Sequence, residues 1–411
     1  MTESVNTELR IAVIGAGPAG VYSSDIFLRQ LKKLGEELGL GTEARIDLFE
    51  KLPVPFGLVR YGVAPDHPSI KFIASALEKT LDNPNIHLYC DVEFGKDVTL
   101  DDLLARYDAV LFATGAVKDK PLNLPGADLE GVYGAAKFVE WYDGYPTGAR
   151  EWPLTAENVA VIGGGNVAMD ATRTAVRLGA ASVKCVYRRR VSDMTALPEE
   201  IEGAMAEGCE VLPLKAPVRI ETNSDGDVTA LVVQPQVIGE VRGGRPAPRK
   251  ADQPEERIAC DVVLMAVGQV VDSKSFAQAG VPTDHNNIVT ADDGSVPGLE
   301  GVFSGGDCVS GPATVILAIE AGKVAAASID EYLGFHTDIS ANLDIPPAPF
   351  RLKHATGRVD LTEREANWRK NDFELMENCM SEQEMAQECS RCLRCDHYGH
   401  AGFKGGRLIK W

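Results

Sequence analysis

Before residue 379 this 411-residue chain contains no Cys-x-x-Cys pair. Reducing a disulfide requires two closely spaced thiols beside the redox group, so that chemistry is not expected of the body of the chain. A Gly-x-Ser-x-Gly nucleophile elbow and a zinc-hydrolase motif are also missing, which removes the common hydrolytic readings. Apolar runs reach only strand length, so no membrane-spanning helix is expected. The opening MTESVNTELR lacks the charged and apolar blocks of a signal peptide, and the expected location is the cytoplasm. Positive charge is scarce: 41 basic against 60 acidic residues leave a net charge of −19. Nucleic acid needs a basic surface and is not expected as a partner.

What is present is a chain of ordinary composition, 45% hydrophobic and 25% charged, long enough for two or three domains. Of its 9 cysteines, Cys90, Cys185, Cys209, Cys260 and Cys308 are scattered, mostly in strand-like apolar surroundings where a buried thiol is the default. The others crowd into residues 379–395, which in a reducing compartment points to a metal or redox site rather than a disulfide framework. Charge is uneven as well. Residues 336–411 hold 11 basic and 12 acidic side chains, and residues 389–411 hold five basic and one acidic.

Two distant segments share one design: LRIAVIGAGPAGVYSSDIFL (9–28) and ENVAVIGGGNVAMDATRTAV (157–176). Each reads as a strand of β-branched residues, a glycine turn, and a helix with small residues facing inward. ARIDLFE (44–50) and YDAVLFAT (107–114) add strands to the first unit, and VKCVY (183–187) and DVVLMAV (261–267) to the second. EGVFSGG (300–306) returns to the first unit and precedes a helix from about Thr314 to Leu333. From His336 to Pro349 the chain is irregular and proline-rich, a linker, before helical patterns near 362–370 and 381–392 lead into the cysteine tail. The expected fold class is α/β: two Rossmann-like, doubly wound dinucleotide-binding domains, the second inserted in the first, plus a small C-terminal cysteine-rich module. The expected boundaries are 7–150 for the first part of the first dinucleotide domain, 151–272 for the inserted dinucleotide domain, 273–335 for the return to the first, and 336–411 for the linker and cysteine-rich module.

A dinucleotide turn uses its first glycine for the tight bend, its second to admit the pyrophosphate, and its third to pack helix against strand. Gly15, Gly17 and Gly20 fill these places, with a helix N-terminus facing the phosphates. Glu50 ends the second strand and is placed to bind a ribose; the long segment LKKLGEELGLGTEA accounts for its distance from Gly15. Ala113, Thr114, Gly115, Gly306 and Asp307 lie at strand ends, where open α/β sheets bind ligands. Asp307 would lie near ribityl or phosphate groups, and the helix beginning near Gly311–Thr314 would point its N-terminus at the flavin ring. The second turn reads Gly163-Gly164-Gly165-Asn166-Val167-Ala168, and Gly268 follows the returning strand of that unit. Its second strand ends in Tyr187-Arg188-Arg189-Arg190, without the acidic residue that holds a 2′-hydroxyl in NAD enzymes. Arg188 and Arg189 are the candidates for a 2′-phosphate, with a solvated basic run as the alternative; Arg190 can face solvent.

Residues 48–71, LFEKLPVPFGLVRYGVAPDHPSIK, resemble the matching stretch of adrenodoxin reductase-type ferredoxin–NADP reductases. The motif VFSGGD (302–307) resembles the FAD-binding end of the wider two-dinucleotide-domain flavoproteins, and residues 157–200 and 261–323 resemble the small subunit of bacterial glutamate synthase. The resemblance spans about residues 9–333. It implies FAD lined by Gly15, Ala16, Gly17, Pro18, Ala19, Glu50, Gly57, Leu58, Gly306, Asp307, Gly311 to Thr314, and Val315, and it implies NADPH rather than NADH at the arginines. It also implies an NAD(P)H:acceptor oxidoreductase that accepts a hydride and passes single electrons to iron–sulfur centres of a ferredoxin or partner subunit. Hydride transfer does not itself demand an acid or base, so no catalytic residue is assigned. His67, within Pro65-Asp66-His67-Pro68, either serves the flavin loop or packs it. The glutamate synthase small subunit carries its cysteine-rich domain before the first glycine turn, whereas these cysteines lie at the other end.

Cys389, Cys392 and Cys395 recur at three-residue intervals among Ser390, Arg391, Arg394 and Asp396. With Cys379 as a remote fourth ligand, the run has the grammar of a [4Fe–4S] cluster. Zinc is the alternative, with His397 and His400 available. A flavoprotein without a redox disulfide needs an electron exit, which a cluster would provide, and the basic segment 389–411 would help dock an acidic carrier or partner subunit. The contrasting class is a non-catalytic redox sensor or assembly subunit that binds dinucleotides and carries a structural zinc tail.

Overall fold

The computed structural model describes residues 9–38, 44–144, 157–242, 244–337 and 356–392. Strand β1 (Leu9–Ile14) is buried from Ile11 to Ile14, as expected of a strand covered on both faces. Helix α1 (Pro18–Leu38) leads from it to β2 (Ala44–Phe49). β1 pairs in parallel with β2 and with Ala109–Phe112. Ile86–Tyr89 and Val302–Ser304 form the two edges of this five-stranded sheet.

The second parallel sheet is built around β3 (Asn158–Gly163), α2 (Asn166–Arg177) and β4 (Ser182–Tyr187). Its other strands are Glu210–Pro213, Val262–Ala266 and Val132–Gly134. The Val302–Ser304 strand rejoins the first sheet only after this sheet is complete, so the second unit is an insertion in the first. One boundary moves. Val132–Gly134 lies inside the expected first segment, 7–150, yet pairs with Val263–Met265 of the second sheet. The crossing comes earlier, where Lys118–Asp119 pairs antiparallel with Gln269–Val270 and the chain passes out and back. Three residues, Val-Tyr-Gly, are too short a run to announce a strand in sequence.

An antiparallel layer was not expected. Lys215–Thr222, Val228–Arg242, Arg245–Lys250 and Glu256–Ala259 form it. Its apolar residues form a core with the second sheet: Ile220, Leu231, Val233 and Ile258 cluster with Ala160, Ile162 and Val186.

Helix α3 (Val315–Tyr332) crosses α1 closely. A Cβ on Gly322 would stand 2.7 Å from the Ala19 carbonyl oxygen, so only glycine permits the approach. The C-terminal helix expected over 381–392 is Glu382–Arg391, started by a Ser381–Glu384 capping box. The pattern near 362–370 yields only a short turn of helix, Ala366–Arg369. Most of the expected linker lies outside the described residues, as do Cys395, His397 and His400. Among the described residues no helix is long and apolar enough to cross a membrane.

Candidate cofactor-binding sites

The first glycine turn owes its shape to two close approaches. Gly15 has φ +110°, and a Cβ there would lie 2.3 Å from the Ala113 carbonyl oxygen. A Cβ on Gly20 would lie 2.0 Å from the Gly15 carbonyl oxygen, so this glycine seats α1 on the turn. At Gly17 a Cβ would meet no protein atom within 4 Å, leaving backbone open for a ligand. The second unit repeats the device: a Cβ on Gly163 would lie 2.3 Å from the Ala266 carbonyl oxygen.

A cavity of about 590 Å³ opens at the carboxyl ends of the first sheet. Gly15, Gly17, Pro18 and Ala19 line it from the turn, and Glu50, Gly57 and Leu58 from the next segment. Ala113, Thr114, Gly115, Gly306 and Asp307 close the floor, and Thr314 and Val315 bring the N-terminus of α3. The Thr314 hydroxyl caps that helix by accepting the Leu317 N–H at 3.4 Å. Glu50 accepts N–H bonds from Ala16 at 2.9 Å and Leu52 at 3.0 Å, which lock it beside the turn. Burial pushes its carboxyl up, and these bonds oppose the shift. Thr114 Oγ1 and Asp307 Oδ1 are buried in this wall without a hydrogen-bond partner among the described residues. Each such atom costs about 1–3 kcal/mol unless a ligand satisfies it. Burial likewise raises the Asp307 carboxyl, against an N–H bond from Ala313.

Three of the residues expected at the FAD, Ala16, Gly20 and Gly311, do not line this cavity. Ala16 is buried behind the turn and Gly20 packs helix on strand. Gly311 ends the short Asp307–Ser310 helix and faces Asn287. The cavity also takes residues that no motif announced, including Lys51, Phe94, Asp119, Glu140 and Phe276. Glu140 is pushed up to about 7 by burial and by Asp119, against Lys137 and Lys51. These residues come from connections, a two-residue strand and two helices, none with a fixed motif spacing.

An adjoining cavity of about 350 Å³ shares Asp119, Val167 and Gln269 with the first and adds Ala266, Gly268 and Lys120. Gly165 is the N-cap of α2, and Ala168 is buried beneath it. Gly164 lies under the Tyr187 ring, which a Cβ would strike at 2.5 Å. Asn166 Oδ1 accepts the Leu197 N–H at 2.9 Å, drawing the loop after β4 over the turn. Arg188 is exposed and makes no ion pair or side-chain hydrogen bond among the described residues. Arg189 donates from Nε to the Pro246 carbonyl at 2.7 Å. Arg190 is not simply solvated, because its Nε meets Asp193 at 2.8 Å.

His67 does more than pack its loop. Its Nε2 lies 3.2 Å from Asp170 on α2, linking the loop after the first glycine unit to the second unit. Burial lowers its pKa, but Asp170, Asp66 and Glu200 outweigh that and lift it to about 9. Asp66, His67 and Asp170 bring ligand atoms within 4.8 Å of one another. A protonated His67, with Arg173 3.6 Å from Asp66, supplies the positive charge there. The cysteines form no such group among the described residues. Cys379, Cys389 and Cys392 are exposed. Cys379 precedes the Ser381 cap while Cys392 closes the far end of the helix, a rise of roughly 15 Å for ten residues.

Two glycine turns of one design, each ending the central strand of a parallel sheet, define a two-nucleotide α/β oxidoreductase fold. Residues 9–322 match the pyridine nucleotide-disulphide oxidoreductase family, and the chain belongs to it. It is 31% identical over 344 residues to the glutamate synthase [NADPH] small chain of Halomonas elongata, covering 81% of this chain and 70% of that one. It is 42% identical over 164 residues to the NADPH-ferredoxin reductase FprA of Mycobacterium leprae, covering 40% of this chain and 35% of that one. The chain spans about half the length of other curated relatives, covering 50% of UacF and of AegA from Escherichia coli (strain K12). In fold it is similar to Mycobacterium tuberculosis FprA in complex with NADPH, with TM-score 0.70 and 24% identity over 80% of this chain and 85% of that one.

Proposed function

We propose that the chain is an NADPH-dependent FAD oxidoreductase that delivers single electrons to iron–sulfur centres of a ferredoxin or partner subunit. One observation carries the reading: the first glycine turn lines one cavity, Val167 of the second turn lines an adjoining one, and the two cavities share Asp119, Val167 and Gln269. Two nucleotides bound there would have their reactive ends close together. The unpaired Thr114 Oγ1 and Asp307 Oδ1 and the open backbone at Gly17 fit FAD in the larger cavity. FAD, when bound, supplies the chemistry of accepting a hydride as two electrons and giving them up singly. Glu50 would hold its ribose, and the N-terminus of α3 would stabilise negative charge at the ring. Arg188 and Arg189 would hold the 2′-phosphate of NADPH. The absence of Cys-x-x-Cys before residue 379 supports an acceptor other than a disulfide, despite the name of the family.

The cysteine tail supports two readings. A [4Fe–4S] cluster on Cys379, Cys389, Cys392 and Cys395 would provide the electron exit. The separation of Cys379 from Cys392 along the helix favours the second, zinc on the last three cysteines with His397 or His400. The experiment for the main proposal is anaerobic titration of the yellow protein. NADPH should bleach the flavin and a one-electron dye should restore it, with acid releasing FAD. Release of FMN, or a flavin that NADPH leaves oxidised, would sink the proposal and favour the sensor class.

A further inference from the structure

We propose that Arg245, carried by the antiparallel layer, is a third reader of the 2′-phosphate. The inference rests on the NADPH reading above and extends it to a residue outside the β–α–β unit. The loop after β4 is held close to the second glycine turn. Tyr187 Oη donates to the Asp193 carbonyl at 2.8 Å, and the Thr195 N–H donates to the Gly164 carbonyl at 2.8 Å. The strands Val228–Arg242 and Arg245–Lys250 form a hairpin whose last register pair is Arg242 with Arg245. Its tip meets the same loop at two points. Arg189 Nε reaches the Pro246 carbonyl at 2.7 Å, and Arg245 Nη2 reaches the Asp193 carbonyl at 3.3 Å.

The arginines there are not equivalent. Arg190 spends Nε and Nη2 on the Asp193 carboxylate, at 2.8 and 2.9 Å, and is neutralised. Arg188 is uncommitted. Arg245 is exposed and holds only a long bond to a carbonyl that Tyr187 already serves. Arg190 and Arg245 therefore both contact Asp193, Arg189 acts on its carboxylate and contacts the same hairpin, and Arg188 directly follows β4, in a chain whose net charge is −19. A phosphate ester offers three acceptor oxygens and a double negative charge, which suit several planar guanidinium forks. A 2′-hydroxyl offers Arg245 no counter-charge. The hairpin thus has a task beyond packing: it brings a cation to the loop that is bonded to the second glycine turn.

The test uses the full-length protein with its flavin and two probes, 2′,5′-ADP and 5′-AMP, which differ in the 2′-phosphate. Arg245→Ala should weaken 2′,5′-ADP about tenfold, the value of one charge-assisted bond, and leave 5′-AMP unchanged. Arg245→Lys should recover part of the loss. In turnover, KM for NADPH should rise without a matching rise for NADH or a fall in kcat. Equal weakening of both probes, or no change in either while Arg188→Ala still discriminates between them, overturns the role of Arg245 alone. A wild-type protein that binds the probes equally overturns the NADPH reading and this inference with it.

Discussion

Glu207 is 1% exposed, and three guanidinium groups converge on its carboxylate. Arg173 donates from Nε at 3.1 Å and Nη2 at 2.7 Å, Arg177 from Nη2 at 3.2 Å, and Arg369 from Nε at 2.8 Å. Glu207→Gln keeps the volume and removes the charge. Breaking a buried ion pair on one side typically costs about 3–5 kcal/mol. Arg173 would keep Glu200 and Arg369 would keep Glu363, so the expected loss is at the low end, about 3 kcal/mol. Titration gives a second route to the magnitude. Burial alone would raise the Glu207 pKa, but Arg173 and Arg177 outweigh it and bring it from 4.5 to about 2. At 1.36 kcal/mol per unit this difference is again worth about 3 kcal/mol. Because the folded pKa is depressed, the stabilisation is complete above the unfolded value near 4.5 and disappears as pH falls through about 2. Urea unfolding of both proteins should therefore show a gap of about 3 kcal/mol at pH 7 that narrows steadily below pH 4.5. A gap under about 1 kcal/mol at pH 7, or one that stays constant on acidification, would refute the assignment of Glu207 as the hub.

Gly15→Ala places a Cβ 2.3 Å from the Ala113 carbonyl oxygen at φ +110°, so the variant should purify without flavin colour; normal FAD content would show that the turn does not need glycine. His67 has a raised pKa, so its contribution to the contact with Asp170 is fullest below pH 6.5 and is lost as pH rises through about 9. An NMR titration should find that value in the wild type and a fall toward 6.5 in Asp170→Asn; a wild-type midpoint near 6.5 would remove the contact. Protein purified anaerobically with ample iron should contain about four iron and four sulfide per chain if the tail holds a cluster. Cys392→Ala should abolish both while sparing FAD, whereas stoichiometric zinc without sulfide would establish the structural clip.

Both glycine units were legible because each function of the turn requires a particular residue at fixed spacing. Gly15, Gly17 and Gly20 differ in what surrounds them, and their fixed spacing announced all three although Gly15 packs against the distant Ala113. Glu50 was legible for the same reason, as the residue ending β2 beside that turn. The antiparallel layer was not legible, because its strands gain their partners only when Ile220, Leu231 and Ile258 meet the second sheet. Asp119 and Glu140 escaped notice because they meet only after the chain crosses between sheets. The same holds for Arg245: it lies 52 positions after Asp193, and the chain between carries no periodic hint that the hairpin tip returns there.

The buried arginines also decide which unit carries the cysteine segment. Arg369 reaches Glu207, the Arg177 Nε donates to the Asp372 carbonyl at 2.9 Å, and Phe373 packs on Tyr142 with ring centroids 4.8 Å apart. Met376, 3% exposed, lies against Arg173. All of these partners belong to the second unit or to the helix Ala135–Tyr142 that packs with it. The helix bearing Cys389 and Cys392 is fastened in turn to this segment: Glu388 accepts the Val359 N–H, and Gln387 donates to the Gly357 carbonyl at 3.0 Å. A rotation of one unit against the other would therefore carry the cysteines with the second unit, the proposed NADPH side. The hinge for such a rotation is the two-stranded link at Lys118–Asp119 and Gln269–Val270, and His67–Asp170 is a contact it would break. Glu207→Gln should uncouple the tail from this motion, visible as faster hydrogen exchange across 363–376 with little change in α3; equal acceleration in both would mean that the variant loosens the whole fold rather than the clasp.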